Sequence, residues 1–449
     1  MGFQKIILAK FPWRWTVFLL CLVTIGYSGV KYANGEADKT YGNVEKSDWG
    51  ATNVWLQSAD CARETGAWLA ICDGSKLLPI ASVAAADDPG HAFLLGLIAR
   101  LKNRPMSVLD VARLNIKINF VSILVMAALL FSTGYYVASF VILMGSSIPY
   151  FSWVGTSPHP SLIGVATLAA VFPAAMLLSA SGRLVGLSRI LFIVLGTLLL
   201  GMASLLREPI GAMGFVVSVG VLVWQSWFQG VKRQKWTLLL LLGMAFIAWQ
   251  SPRWVLMTRD VVFSVQTPKT TQTHGTSHAL YLGLGAAGDN KFGIHWDDKD
   301  GSDAVEKVSK NVGYVTEQYY QILWQAYLER VAQDPLEVAR IYAIKAREIL
   351  KHRLPDWAPQ LYVVLLGVGA LLIVGQRRSL WKAANFEGGA SIAVLSLAFI
   401  FMFIAQGVLA HPSKQYAHPI AGFVLFIFSI GTELFVRLAY QKDMLPKSN

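Results

Sequence analysis

Apolar residues recur in long blocks along most of this chain, at 15–32, 118–134, 136–151, 161–180, 190–206, 210–228, 236–252, 360–376, 389–409 and 419–436. As helices, such blocks can cross about 30 Å of hydrocarbon, and they predict an all-α polytopic membrane protein of about ten transmembrane helices. Spans two and three are parted only by Ser132-Thr133-Gly134; one continuous helix there would invert everything downstream. Polar positions gather in two long segments, and the pattern divides the chain into five parts. These are an N-terminal anchor helix (1–32), a first outer loop (33–117), a bundle (118–252), a second outer segment (253–359) and C-terminal spans with a tail (360–449).

Basic residues give this pattern a direction. Arg183 and Arg189, then Lys232, Arg233 and Lys235, then Arg377, Arg378 and Lys382 occupy alternate loops, and Lys5, Lys10, Arg14, Arg437, Lys442 and Lys447 flank the first and last spans. With ten spans all five clusters lie in the cytoplasm, so both termini are inside and the two long segments outside. A signal peptide is the competing reading of the first block, but no small-x-small site follows in GYSGVKYANGE, which favours a retained anchor.

Composition agrees: 54% of residues are hydrophobic, 15% are charged, and the mean hydropathy is +0.47. A polar surface cannot be built from that mixture, so lipid is the solvent. The excess of 39 Lys and Arg over 27 Asp and Glu sits in short loops rather than a basic stripe, which argues against a nucleic-acid partner. Cys61 and Cys72 share the first outer loop, where an oxidising compartment would join them in a disulfide; the alternative is two buried thiols.

Within that loop, residues 81–104 carry the acidic pair Asp87-Asp88 ahead of a helix with Phe93, Leu94, Leu97, Ile98 and Leu101 at one-face spacing. A second helix, SVLDVARLNIKIN, leads into the next span, and both are expected to lie along the membrane surface. The acidic pair reads either as an N-cap favoured by the helix dipole or as a general base that takes a proton from an attacking hydroxyl.

The N-terminal span, the long outer loop with its acidic pair, the juxtamembrane helices and the return span resemble the GT-C glycosyltransferases. These are membrane enzymes that transfer a sugar from a polyprenyl-phosphate carrier. In that family the pair is commonly Asp-Glu, followed by Tyr or His; here it is Asp87-Asp88 with His91, so the second acid departs from the usual Glu. The resemblance implies a polyprenyl-phosphate sugar donor, a glycan, lipid or protein acceptor, and Asp87 or Asp88 as the base. It also implies an active face on the periplasmic side of a bacterial inner membrane. It covers the layout of most of the chain through one short motif, and residues 33–80, with Trp49 and Trp55, look like an addition to the minimal loop.

Charges that break the loop rule carry further information. Arg207 in SLLREPIG and Lys414 in AHPSKQYAHP are the only basic residues of the short outer loops. Each could meet a donor phosphate, Arg as a bidentate fork and Lys as a point charge. The plain readings are a local pair with Glu208 for the first and a snorkelling headgroup contact for the second. His159, His411 and His418 also fall on the outer side, and with Tyr416 they complete the expected substrate-facing set of His91, His159, Arg207, Glu208, His411, Lys414 and Tyr416. His411 and His418 stand in a Pro-broken loop rather than on a helix face, so a divalent cation is compatible with them but not required.

In the second outer segment, Asp298, Asp300 and Asp303 around Gly301 read as a solvated turn, since the glycine falls too early for an EF-hand. Helices are expected over 315–332 and 335–352, the second with Glu337 in capping-box position and Arg340, Arg347 and Lys351 on one face. Two other activities fit the layout. An O-antigen ligase or polymerase type of transferase would use Arg259, His274 and Arg330, and a transporter or flippase would use charge within the bundle, where Glu433 is the main acid.

Overall fold

A computed structural model describes residues 12–47, 50–80, 89–146, 162–228, 235–265, 275–314, 316–352, 367, 387–412 and 414–444. Helix α1 (Pro12–Tyr41) leads into the segment predicted as the first outer loop, which holds α2 (Gly50–Thr65), the strands β1 (Ala70–Asp73) and β2 (Lys76–Pro79), and α3 (Pro89–Lys102). A bundle follows: α4 (Val108–Ser132), α5 (Tyr136–Ser146), α6 (Leu162–Ala180), α7 (Gly186–Leu206), α8 (Glu208–Phe228) and α9 (Lys235–Phe263). The second outer segment contributes α10 (Thr276–Gly283), α11 (Asp298–Glu306), α12 (Glu317–Gln333) and α13 (Pro335–His352), before α14 (Glu387–Leu409) and α15 (Lys414–Met444) rejoin the bundle. Eight of these helices (α1, α4, α6, α7, α8, α9, α14 and α15) are long and apolar enough to cross a membrane, as a multi-pass membrane protein requires.

Several boundaries differ from the sequence pattern for local reasons. The expected surface helix SVLDVARLNIKIN is not separate: α4 runs unbroken from Val108 to Ser132, because no Gly or Pro interrupts it. Its start is fixed by Ser107, whose hydroxyl accepts from the Asp110 amide while the Asp110 carboxylate accepts from the Ser107 amide. The 118–151 stretch is indeed two helices, with Thr133 as the C-cap of α4 and Gly134 at φ +84°, a left-handed backbone open to glycine. The third predicted span appears as the short helix α5, with 147–151 outside the described residues, and of the 360–376 span only Gly367 is described. The turn expected around Gly301 is helix α11, whose first amides are capped by Asp297. The first outer loop also holds a small antiparallel hairpin closed by Gly74 at φ +58°.

The bundle has two distinct ends. At one, Arg437 donates to Gly134 O (2.7 Å) and Glu433 (2.8 Å), and the other Glu433 oxygen accepts from the Ala138 amide at the start of α5 (3.1 Å). Arg183 and Arg437 both lie over the Tyr135 ring, so two of the predicted cytoplasmic clusters share this arginine end. At the other, the loop end, Arg259 is 3% exposed and donates to Leu69 O (2.6 Å), and Lys345 donates to Leu409 O at the end of α14 and to Ala410 O just after it. The parts of the chain predicted to be outside thus meet at one end.

Helix α6 is the buried axis of the bundle, touching α4, α7, α8, α14 and α15. Glycines allow the close approach, as small residues do where helices pack without a hydrophobic driving force. A Cβ on Gly164 would stand 2.8 Å from Asn119 Cα, and one on Gly196 2.8 Å from Phe172 Cα. Gly164→Ala is therefore expected to destabilise the protein by about 1–3 kcal/mol. Gly220→Ala, whose Cβ meets open space, should be neutral or stabilising by up to about 1 kcal/mol. Thermal unfolding of both variants in detergent checks the opposite signs.

Candidate functional site

The site is built from the start of α3. Pro89 opens the helix, where its missing amide costs nothing. One turn buries Gly90, His91 and Ala92, followed along the helix by Leu95, Gly96 and Ala99. That small-residue face packs on α2, with a Cβ on Gly96 only 3.0 Å from Ala62 Cβ. The apolar residues expected on one face are divided: Phe93, Leu94 and Ile98 pack against the core, while Leu97 and Leu101 remain exposed.

Gly90 decides where this helix start stands. A Cβ there would lie 2.7 Å from the backbone of both Leu205 and Leu206, so the beginning of α3 touches the end of α7 directly. Arg207 is the next residue: it ends α7, its amide donates to Ala203 O (2.8 Å), and its carbonyl accepts from Ile210 and Gly211. Its side chain is half-buried, and Glu208 is exposed in the first turn of α8, where the helix dipole favours a carboxylate.

His91 is fully buried beside this contact. Its ring stacks on Trp55 at 4.3 Å and 10°, and its Nε2 lies 2.8 Å from Asn115 Oδ1. Because a carbonyl oxygen only accepts, Nε2 carries the proton and Nδ1 is the acceptor, which has no partner among the described residues. Burial pushes His91 down to about 4; the Asn115 hydrogen bond opposes this, and the nearby Arg207 charge adds to it. The imidazole is neutral at neutral pH, and so adds no second positive charge beside Arg207.

Other expected residues have separate surroundings. His411 is half-buried with its ring 4.8 Å from that of Trp296, and His418 is half-buried in α15. Lys414 and Tyr416 belong to the first turn of α15. Asp87, Asp88, His159 and His274 lie outside the described residues. Cys61 and Cys72 form a disulfide with Cα atoms 5.3 Å apart, tying strand β1 to helix α2. Arg259 is held by Asp260 (2.6 and 2.8 Å) and Leu69 O, Arg330 by Gln333, and Arg340 by Glu337. Glu337 accepts from Lys291 N and Arg340, while Asp334 takes over the capping of α13.

Sequence reading missed Asn115 and the role of Trp55. Asn115 and Asn119 stand one turn apart in the polar first turns of α4, and polar residues on a helix that continues into a span are a usable signal. No protein-family model, curated protein or solved structure matches this chain.

The buried histidine has a measurable consequence. An unfolded His91 binds its proton near pH 6.5 and the folded one only near 4, so its contribution to stability is present above pH 6.5 and is lost as pH falls through that window. The wild type should lose on the order of 3 kcal/mol more than His91→Gln between pH 7 and 4. Chemical denaturation of both proteins across that range measures the difference.

Proposed function

We propose that this chain is a GT-C type glycosyltransferase. In this reading it moves a sugar from a polyprenyl-phosphate carrier to a hydroxyl of a glycan, lipid or protein acceptor on the periplasmic face of a bacterial inner membrane, with both termini cytoplasmic. The observation that carries it is the contact of Gly90 with Leu205 and Leu206, which sets the helix directly following Asp87-Asp88 against the helix end that bears Arg207. A base and a phosphate-binding cation are the two charges this chemistry needs.

The orientation draws support from the two ends. Arginines of the basic loops gather at one end, as the cytoplasmic side attracts them, and the disulfide belongs to the other, as an oxidising compartment allows. Ten spans remain the count that fits this alternation.

In the proposed reaction Asp87 or Asp88 takes the proton of the acceptor hydroxyl as its oxygen attacks the anomeric carbon. The bond from that carbon to the phosphate oxygen breaks, and the electron pair leaves with the polyprenyl phosphate. Arg207 and Lys414 stabilise the charge that grows there. Neutral His91 supports the helix start rather than titrating in the reaction.

Two observations weigh against the other activities. Arg259, needed by a ligase-type site in the second outer segment, is buried and already bonded to Leu69 O and Asp260. Glu433, the acid a transporter would use, is bonded to Arg437 and the Ala138 amide.

Purified protein incubated with labelled polyprenyl-phosphate sugars should release free polyprenyl phosphate in the presence of acceptor. Asp87→Asn with Asp88→Asn is expected to slow release by about 100-fold or more, the usual worth of a general base. Full activity in the double variant would exclude the proposed base.

A further inference from the structure

Lys345 is fully buried, and its position in the fold is unlike that of the other described lysines. Its ammonium donates to Gly283 O (2.8 Å), Leu409 O (3.3 Å) and Ala410 O (2.8 Å). Gly283 is the last residue of α10 and Leu409 the last of α14, so the negative ends of two helices favour the ammonium form against the burial that pushes this lysine down to about 7. The Tyr342 ring lies 5.2 Å from the same nitrogen. A Cβ on Gly283 would sit 2.5 Å from Leu409 O and 2.8 Å from Ala410 O, so the three elements meet without spare room.

A joint made only for packing needs no charge, and an apolar side chain would avoid the cost of burying one. What the ammonium supplies is direction: it holds specific carbonyls at specific places. Two of those carbonyls, Leu409 O and Ala410 O, immediately precede the α14–α15 connection, in which His411 packs against Trp296 and after which Lys414 begins α15. Lys345 and Trp296 both come from the second outer segment and hold the start of this turn from two points.

We infer that Lys345 is a positioning residue, fixing the α14–α15 turn so that its basic residue meets the phosphate of a polyprenyl-phosphate lipid. The inference rests on the glycosyltransferase reading, in which Lys414 binds that phosphate. It gives the second outer segment a task within the site: holding the turn in register on the bundle.

The test measures binding of undecaprenyl phosphate to the purified full chain in nanodiscs, with undecaprenol as the phosphate-free comparison. Lys345→Met keeps the length of the side chain and removes the charge; Gly283→Ala pushes on the same carbonyls and leaves the charge in place. Both variants should bind the phosphate lipid at least about tenfold more weakly than the wild type, with undecaprenol binding unchanged. His278→Ala serves as the control, since it loses its Tyr319 and Asp298 partners in the same segment without touching the turn. It should lower the melting temperature and leave the phosphate affinity unchanged.

Wild-type binding with equal affinity in Lys345→Met overturns the inference; should that variant fail to fold, equal affinity in Gly283→Ala does so. Equal weakening in His278→Ala overturns it too, because the effect is then general loosening of the segment. A wild type with no preference for the phosphate lipid overturns the parent reading instead.

Discussion

Backbone against backbone at Gly90 is the constraint on which the loop end depends. With no side chain at that position, the start of α3 lies on the peptide between Leu205 and Leu206, and any Cβ would force the helices apart. The rest of α3 follows from that seat: Gly96 admits α2, and the stacked Trp55 covers His91. In turn, α2 carries Cys61, whose disulfide ties α2 to β1, and the carbonyl of Leu69, just before β1, receives Arg259 from the end of α9. One glycine contact thus orders a path from α7 through the first outer loop to α9.

Polar groups in this protein serve as joints. Buried charge in an apolar surrounding is costly unless it is paired, and each case here has its partner. Arg437 and Glu433 close the arginine end on the Gly134 turn and the start of α5. Lys345 closes the loop end on two helix termini, and Asn115 holds the neutral form of His91. Within the proposed reaction this division leaves Arg207 at the junction of α7 and α8, against which the start of α3 is seated. The larger joints hold the surrounding elements.

The sequence made legible whatever depends on local chemistry. Long apolar blocks marked the membrane helices, Thr133-Gly134 marked the break after α4, and Asp334-Pro335 marked the start of α13. The hairpin also had a local signal, Asp73-Gly74, but its strands are too short to show alternation. Illegible features depend on distant partners. Leu69 and Arg259 are 190 residues apart, and Lys345 reaches carbonyls 62 to 65 residues away, so neither pairing leaves a trace in spacing. The continuity of α4 escaped for another reason: its first turns are polar enough to suggest the membrane surface, yet no breaker separates them from the span.

The seat of α3 on α7, and its side of the membrane, can be tested together. Cysteines replacing Pro89 and Glu208, in a chain with Cys21→Ser and the native disulfide intact, would be exposed to a short, membrane-impermeant bismaleimide in spheroplasts. The account predicts an intramolecular cross-link there and none in inside-out vesicles. A cross-link only in inside-out vesicles would contradict the orientation, and its absence from both preparations would contradict the contact itself.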